Sequence, residues 1–425
     1  MDVLFPPGPQ KSLFLGDAPQ FKHSPLDYMQ QAARTYGDLV HFRFGPAHAY
    51  LLTNPRDAHE VLVEHFDQFA EKPSFFLALN SAMGHDLRAP KEPLTRRTMR
   101  RGVFKSVWLE PSIPDITRAS AQALDGWHGG DPVALLETLT LRIVAQTLFG
   151  DTNGTLGETV SRISRALSAQ PNPQHFQSPL TLPLWVPSAA NRQRQHASAE
   201  LKRIVHQLIL NRPAGLFGRL LAAPISETWA VEEMLALFRA GHQAAAHTLA
   251  WAWWHLVQNP ASAETLKAEV DVVLGNSQPT ADDLSNLVYC EMVFKETLRL
   301  HPPVWVISRQ AKKETRLGEY YVPTGSTIFV SPYIVHHSPR YFTSPESFLP
   351  ERFGESFARR GSTFAYMPFG ASTYSEIECD YATLIGKLIL ALAAQRFSLT
   401  ETNAASPELS AYPRGLQFQA QRLAV

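Results

Sequence analysis

The chain has little cysteine, no charge imbalance, no signal-like start and no long apolar run, and each absence narrows its class. Two cysteines in 425 residues, Cys290 and Cys379, exclude a disulfide framework and suit a reducing compartment. Lys plus Arg and Asp plus Glu each total 39, so no global field points to nucleic acid or an anionic membrane. The opening Met1 to Gln10 lacks the basic-then-apolar order of a signal peptide. No run approaches the roughly 18 apolar residues of a membrane span; Leu388 to Ala394 is far too short. What is present is a globular composition, 44% apolar and 18% charged, on a chain long enough for a large core. The expectation is a cytoplasmic protein with neither nucleic acid nor membrane as partner.

In order, residues 1–25 are proline-rich and read as a surface segment. Leu26, Met29, Ala32, Ala33 and Tyr36 have helical spacing, closed by Gly37. The stretch from Leu39 to Pro55 alternates around Gly45-Pro46 and predicts a hairpin. Further helices are predicted from Pro55 to about His65, from Val133 to Phe149 and from Asn191 to about Leu221. Between the last two, residues 170–187 carry too many prolines for a continuous helix. The longest helical pattern spans 229–258 and closes at Asn259-Pro260.

Several short motifs are set into this frame. Residues 93–104 read PLTRRTMRRGVF, and the central helix holds AGHQAA from Ala240 to Ala245. FKETLRLHPP places Glu296 and Arg299 one turn apart. VISRQ contains Arg309, and FLPERF contains Arg352. Residues 368–382 read PFGASTYSEIECDYA.

Together, from about Leu26 to Phe397, these motifs resemble the cytochrome P-450 family in order and spacing. The resemblance implies a mainly α fold with small β-sheets, a single domain over 1–425, with 229–258 as the long central helix and 368–395 as the heme loop and following helix. It implies that Glu296, Arg299 and Arg352 form a buried structural triad, and that Arg97 and Arg309 are positions that contact heme propionates.

The departures from the family pattern are confined to one role. Anchored at Phe369-Gly370 and at Tyr381-Ala382, the position of the iron-ligating cysteine holds Glu376. Ser372 and Glu378 stand where the family has loop glycines, Tyr374 where it has a basic residue, and Pro93 where it has a propionate partner. In the central helix, Gln243 and Ala244 replace the acid and alcohol that deliver protons to iron-bound dioxygen. An amide cannot donate and regain a proton near neutral pH as a carboxylic acid can. Cys379 lies one helical turn beyond Glu376, roughly 4.5 Å along the axis, too far to take its place.

These losses lead to an expected protein without thiolate-ligated heme, with no cofactor and no resident metal, needing no redox partner. Its expected activity is a redox-neutral step on a small apolar molecule, such as dehydration, cyclisation or isomerisation in secondary metabolism. Candidate catalytic residues are Arg239, Gln243, His247 and Glu376: Arg239 and His247 lie four residues either side of Gln243 on one helical face. Glu376 is open between a catalytic group and a counter-charge, paired with Glu378, for Arg97 and Arg309. Two alternatives stand beside this: a heme enzyme with an unusual axial ligand, and a non-catalytic binding or scaffold protein.

Overall fold

A computed structural model describes residues 4–9, 24–71, 110–150, 240–354, 364–370, 375–401 and 416–423, with a few isolated positions between them. The helix-start chemistry is local. α1 (Pro25–Tyr36) has proline at its first position and ends at Gly37, whose φ of 97° suits only glycine. α2 (Pro55–His59) is capped by Asn54, which accepts from the Arg56 amide, and runs on as a wide turn over Glu60–Glu64. α3 (Ile113–Asp125) is followed by α4 (Pro132–Phe149), where Asp131 accepts from the Val133 amide and Gly150 closes the helix in the left-handed region. α4 is apolar and long enough to cross a membrane by composition alone, but Leu136, Leu139, Ile143 and Leu148 are buried in the core.

The central helix is not uniform. A π-type turn occupies Ala240–Ala244 and α5 (Ala245–Gln258) continues from it, while 229–239 lie outside the described residues. α6 (Pro260–Val273) and α7 (Val288–Leu300) follow. α7 has no cap of its own, because Leu287 occupies the cap position; Glu269 on α6 accepts from the amides of Tyr289 and Cys290 at 2.5 and 2.9 Å instead. α8 (Pro332–His336) is short, and α9 (Ser375–Arg396) is the longest described helix.

The strands form small sheets. β1 (Leu39–Phe44) and β2 (Ala47–Leu52) make the hairpin predicted from the sequence, and β3 is Phe69–Glu71. With β5 (Ile307–Ala311) and β8 (Thr327–Val330) they form a five-stranded sheet in the order β1-β2-β8-β5-β3, parallel only between β2 and β8. β4 (Gly129–Gly130), β9 (Phe397–Glu401) and β10 (Phe418–Arg422) form a second, and β6 (Thr315–Leu317) pairs with β7 (Tyr320–Val322). The largest apolar cluster draws on α3, α4, α5, α6, α7 and α9, and a second lies beneath the five-stranded sheet. A mainly α fold with small sheets is what the sequence predicts.

Candidate functional site

The charged triad is built from three segments. Glu296 and Arg299, on one face of α7, are wholly buried and paired in bidentate fashion: Nε to Oε2 at 2.8 Å and Nη2 to Oε1 at 2.9 Å. Arg352 Nε, in the turn Pro350–Phe353, lies 3.0 Å from the same carboxylate. The remaining donors of Arg299 reach the carbonyls of His336, Pro345 and Ser347, and the Leu349 amide donates to Glu296 at 2.9 Å. Each buried charge is matched, which is the condition under which burial is tolerated.

From there the chain passes through Phe364 to Gly370 and reaches α9. Gly370 has φ 81°, and a Cβ there would sit 3.2 Å from Ile307 Cδ1, so both conformation and space select glycine. Residues 371–374 lie outside the described residues, and so do the side chains of Glu376 and Glu378. The backbone places Glu376 in the first turn of α9, where the helix dipole favours a negative charge. Cys379, one turn on, is half-buried against the main core, and burial pushes its thiol up to about 12. A thiol held protonated is a poor anionic ligand. Next, Tyr381 is fully buried and meets the central helix: a Cβ on Gly241 would come within 2.3 Å of its ring and 2.7 Å of Val144 Cγ2 on α4. The glycine of AGHQAA and the tyrosine of ECDYA therefore fit each other.

The structure places the central-helix candidates as follows. Gln243 and Ala244 lie half-buried in the wide turn, and Arg239 lies outside the described residues. His242 is buried toward α4, where Thr140 Oγ1 donates to its carbonyl at 3.1 Å. His247 also turns to α4: its Nε2 is 3.1 Å from Glu137 Oε1. The general-base candidate therefore has a carboxylate partner 110 residues away in sequence, which spacing along one helix does not reveal. Of the two propionate-type arginines, Arg97 lies outside the described residues. Arg309 is buried on β5 and donates from Nη1 to the Ser308 carbonyl at 3.1 Å. The proposed pairing of Glu376 and Glu378 with these arginines falls outside the described side chains.

Sequence reasoning missed a second set of buried polar residues beside the triad. His255 Nε2 and His301 Nε2 are 2.9 Å apart, with Trp251 stacked on His301 and Phe348 on His255. His336 is completely buried between Arg299 and the loop at Met367. Lone histidines carry no periodic signal, so only the tertiary structure brings these together.

A cytochrome P-450 family model matches residues 6–411. The cyclooctat-9-en-7-ol 5-monooxygenase of Streptomyces melanosporofaciens is 30% identical, over 91% of this chain and 87% of the relative. Cyclooctatin synthase of the same organism is 27% identical over 90% and 87%. LUTEIN DEFICIENT 5 of Arabidopsis thaliana is 27% identical over 88% and 69%. These matches correct the expectation of a protein without cofactor: the matched family is one of heme proteins, and they point to heme. They favour the alternative of a heme protein with an unusual ligand over the heme-free expectation. A carboxylate at the start of α9 is still a donor that iron accepts, as oxygen ligands are. Glu376, which stands at the family's ligand position in the sequence, is a donor of that kind. The expectation that no redox partner is used loses its support along with it.

Proposed function

Since the chain belongs to the cytochrome P-450 family, we propose that it is a heme-binding member in which Glu376 would hold the iron in place of the thiolate and a small cyclic, apolar alcohol is the substrate. The observation that carries the reading is the start of α9: the helix begins at Ser375, five residues after Gly370, with Glu376 in its first turn and Cys379 packed half-buried against the core. The substrate class is supported by the bacterial relatives, one of which is named as a monooxygenase of cyclooctat-9-en-7-ol.

Bound there, heme supplies a one-electron redox centre and an iron that takes up oxygen. Glu376 would hold the iron through a carboxylate oxygen, and Arg97 and Arg309 would hold the propionates. The protein's own side chains then set a limit on the chemistry. Gln243 can orient a partner by hydrogen bonding but cannot pass on a proton, and Ala244 offers no hydroxyl. A carboxylate would also donate less electron density to the iron than a thiolate. The oxygen chemistry that heme would supply is therefore expected to be slower, by roughly the 10²–10⁴-fold that positioned acid–base groups contribute.

The same two residues favour a second reading, redox-neutral tailoring such as dehydration, cyclisation or isomerisation on the heme-bound protein. Turnover of a cyclic terpene alcohol, measured with and without an electron donor, tests both. Product formed only with the donor supports the oxidative reading; equal turnover without it establishes the redox-neutral one. A purified protein devoid of heme would sink both.

A further inference from the structure

The loop from Phe364 to Gly370, which precedes α9 in the chain, is held at three points. Tyr366 Oη donates to the Lys295 carbonyl on α7 at 3.1 Å. The Val304 amide donates to the Pro368 carbonyl at 3.2 Å. The Met367 amide donates to His336 Nε2 at 3.0 Å. The last contact comes from the final residue of α8, fully buried, whose ring stacks on Tyr366 at 5.5 Å. The other ring nitrogen, Nδ1, lies 3.0 Å from the Arg299 carbonyl, and Arg299 Nη1 donates back to the His336 carbonyl at 2.9 Å.

These partners fix the imidazole. A carbonyl only accepts and an amide N–H only donates, so the ring is neutral with its proton on Nδ1. It thus joins the Glu296–Arg299–Arg352 network on one side to the loop on the other. His255 and His301, also buried, bond to each other, and among the described residues neither hydrogen-bonds to this loop.

We infer that His336 is a positioning residue, carrying the order of the buried charge network through its Nε2 acceptor into the loop 364–370 that precedes α9. Its role toward the axial ligand rests on the proposed function; the clamp on Met367 does not. A histidine that only fills space would leave the Met367 amide protected whichever polar group replaced it. The test uses the full-length protein with His336→Gln and His336→Asn. The glutamine oxygen reaches the Nε2 position, whereas the shorter asparagine reaches only the Nδ1 position.

Hydrogen exchange of peptides covering 364–370 is measured beside thermal midpoints and the visible spectrum. Losing one hydrogen bond corresponds to about 10-fold faster exchange, expected in His336→Asn, with His336→Gln within about 3-fold of the native chain. Equal exchange in the two variants, or native protection in His336→Asn, overturns the clamp. The spectrum answers separately. If exchange rises as expected in His336→Asn but its heme spectrum is native, the clamp stands and its role toward the axial ligand is refuted.

Discussion

At the scale of single residues, the constraints that could be read from the sequence are those that the fold enforces chemically. Glu296 is the clearest, since two guanidinium groups and the Leu349 amide converge on its carboxylate. Glu296→Gln leaves Arg299 buried without its counter-charge and is expected to cost about 3–5 kcal/mol, seen as a lowered midpoint in urea. Gly241 is constrained by space alone. Gly241→Ala would drive a methyl group into the Tyr381 ring and Val144, with an expected loss of about 1–3 kcal/mol in the same titration. The motif AGHQAA shows that a glycine is present; only the packing of α9 on the wide turn shows why. Glu137 and His336 were not legible in the sequence for the same reason. Each acts through hydrogen-bond partners more than 30 residues away, and a single acidic residue or histidine has no pattern of its own.

At the scale of elements, periodicity located α1, α4 and the β1–β2 hairpin, because caps, prolines and left-handed glycines mark their ends locally. It did not register the wide turn at Ala240–Ala244, since one i→i+5 turn leaves the apolar spacing of a long helix almost unchanged. The start of α7 was equally hidden, for its cap is supplied by another helix. Glu269→Ala removes the acceptor for two first-turn amides of α7 and is expected to destabilise the protein by roughly 0.5–2 kcal/mol. Glu269→Gln, which keeps an oxygen there, should recover part of that loss. Exchange of the amides of Tyr289 and Cys290 localises the effect.

At the scale of the whole molecule, the buried histidines set a pH limit. Burial pushes His255 down to about 3 and His337 to about 4, and holds His301 and His336 well below the usual imidazole value of 6.5. The unfolded chain takes up protons near that value while the folded protein cannot. Stability is therefore complete above about pH 6.5 and falls as the pH drops below it. Each such histidine contributes about 1.4 kcal/mol per pH unit until its own folded value is reached. A thermal midpoint that declines steeply between pH 6.5 and 5 and is flat from 7 to 8 is the expected profile. A family resemblance alone could not give this, because it follows from burial and not from motif. The same distinction governs the cofactor: motif losses led to an expectation of no cofactor, while the matches across the chain show the cytochrome P-450 family and point to heme.

The most direct measurement is the ferric heme spectrum of the purified protein, by absorption and magnetic circular dichroism, set against Glu376→Cys and Cys379→Ser. The account predicts near-stoichiometric heme with an oxygen-ligated signature in the native chain and in Cys379→Ser, and a thiolate signature that appears in Glu376→Cys. A thiolate signature in the native chain that Cys379→Ser abolishes, or a native chain that carries no heme, would contradict it.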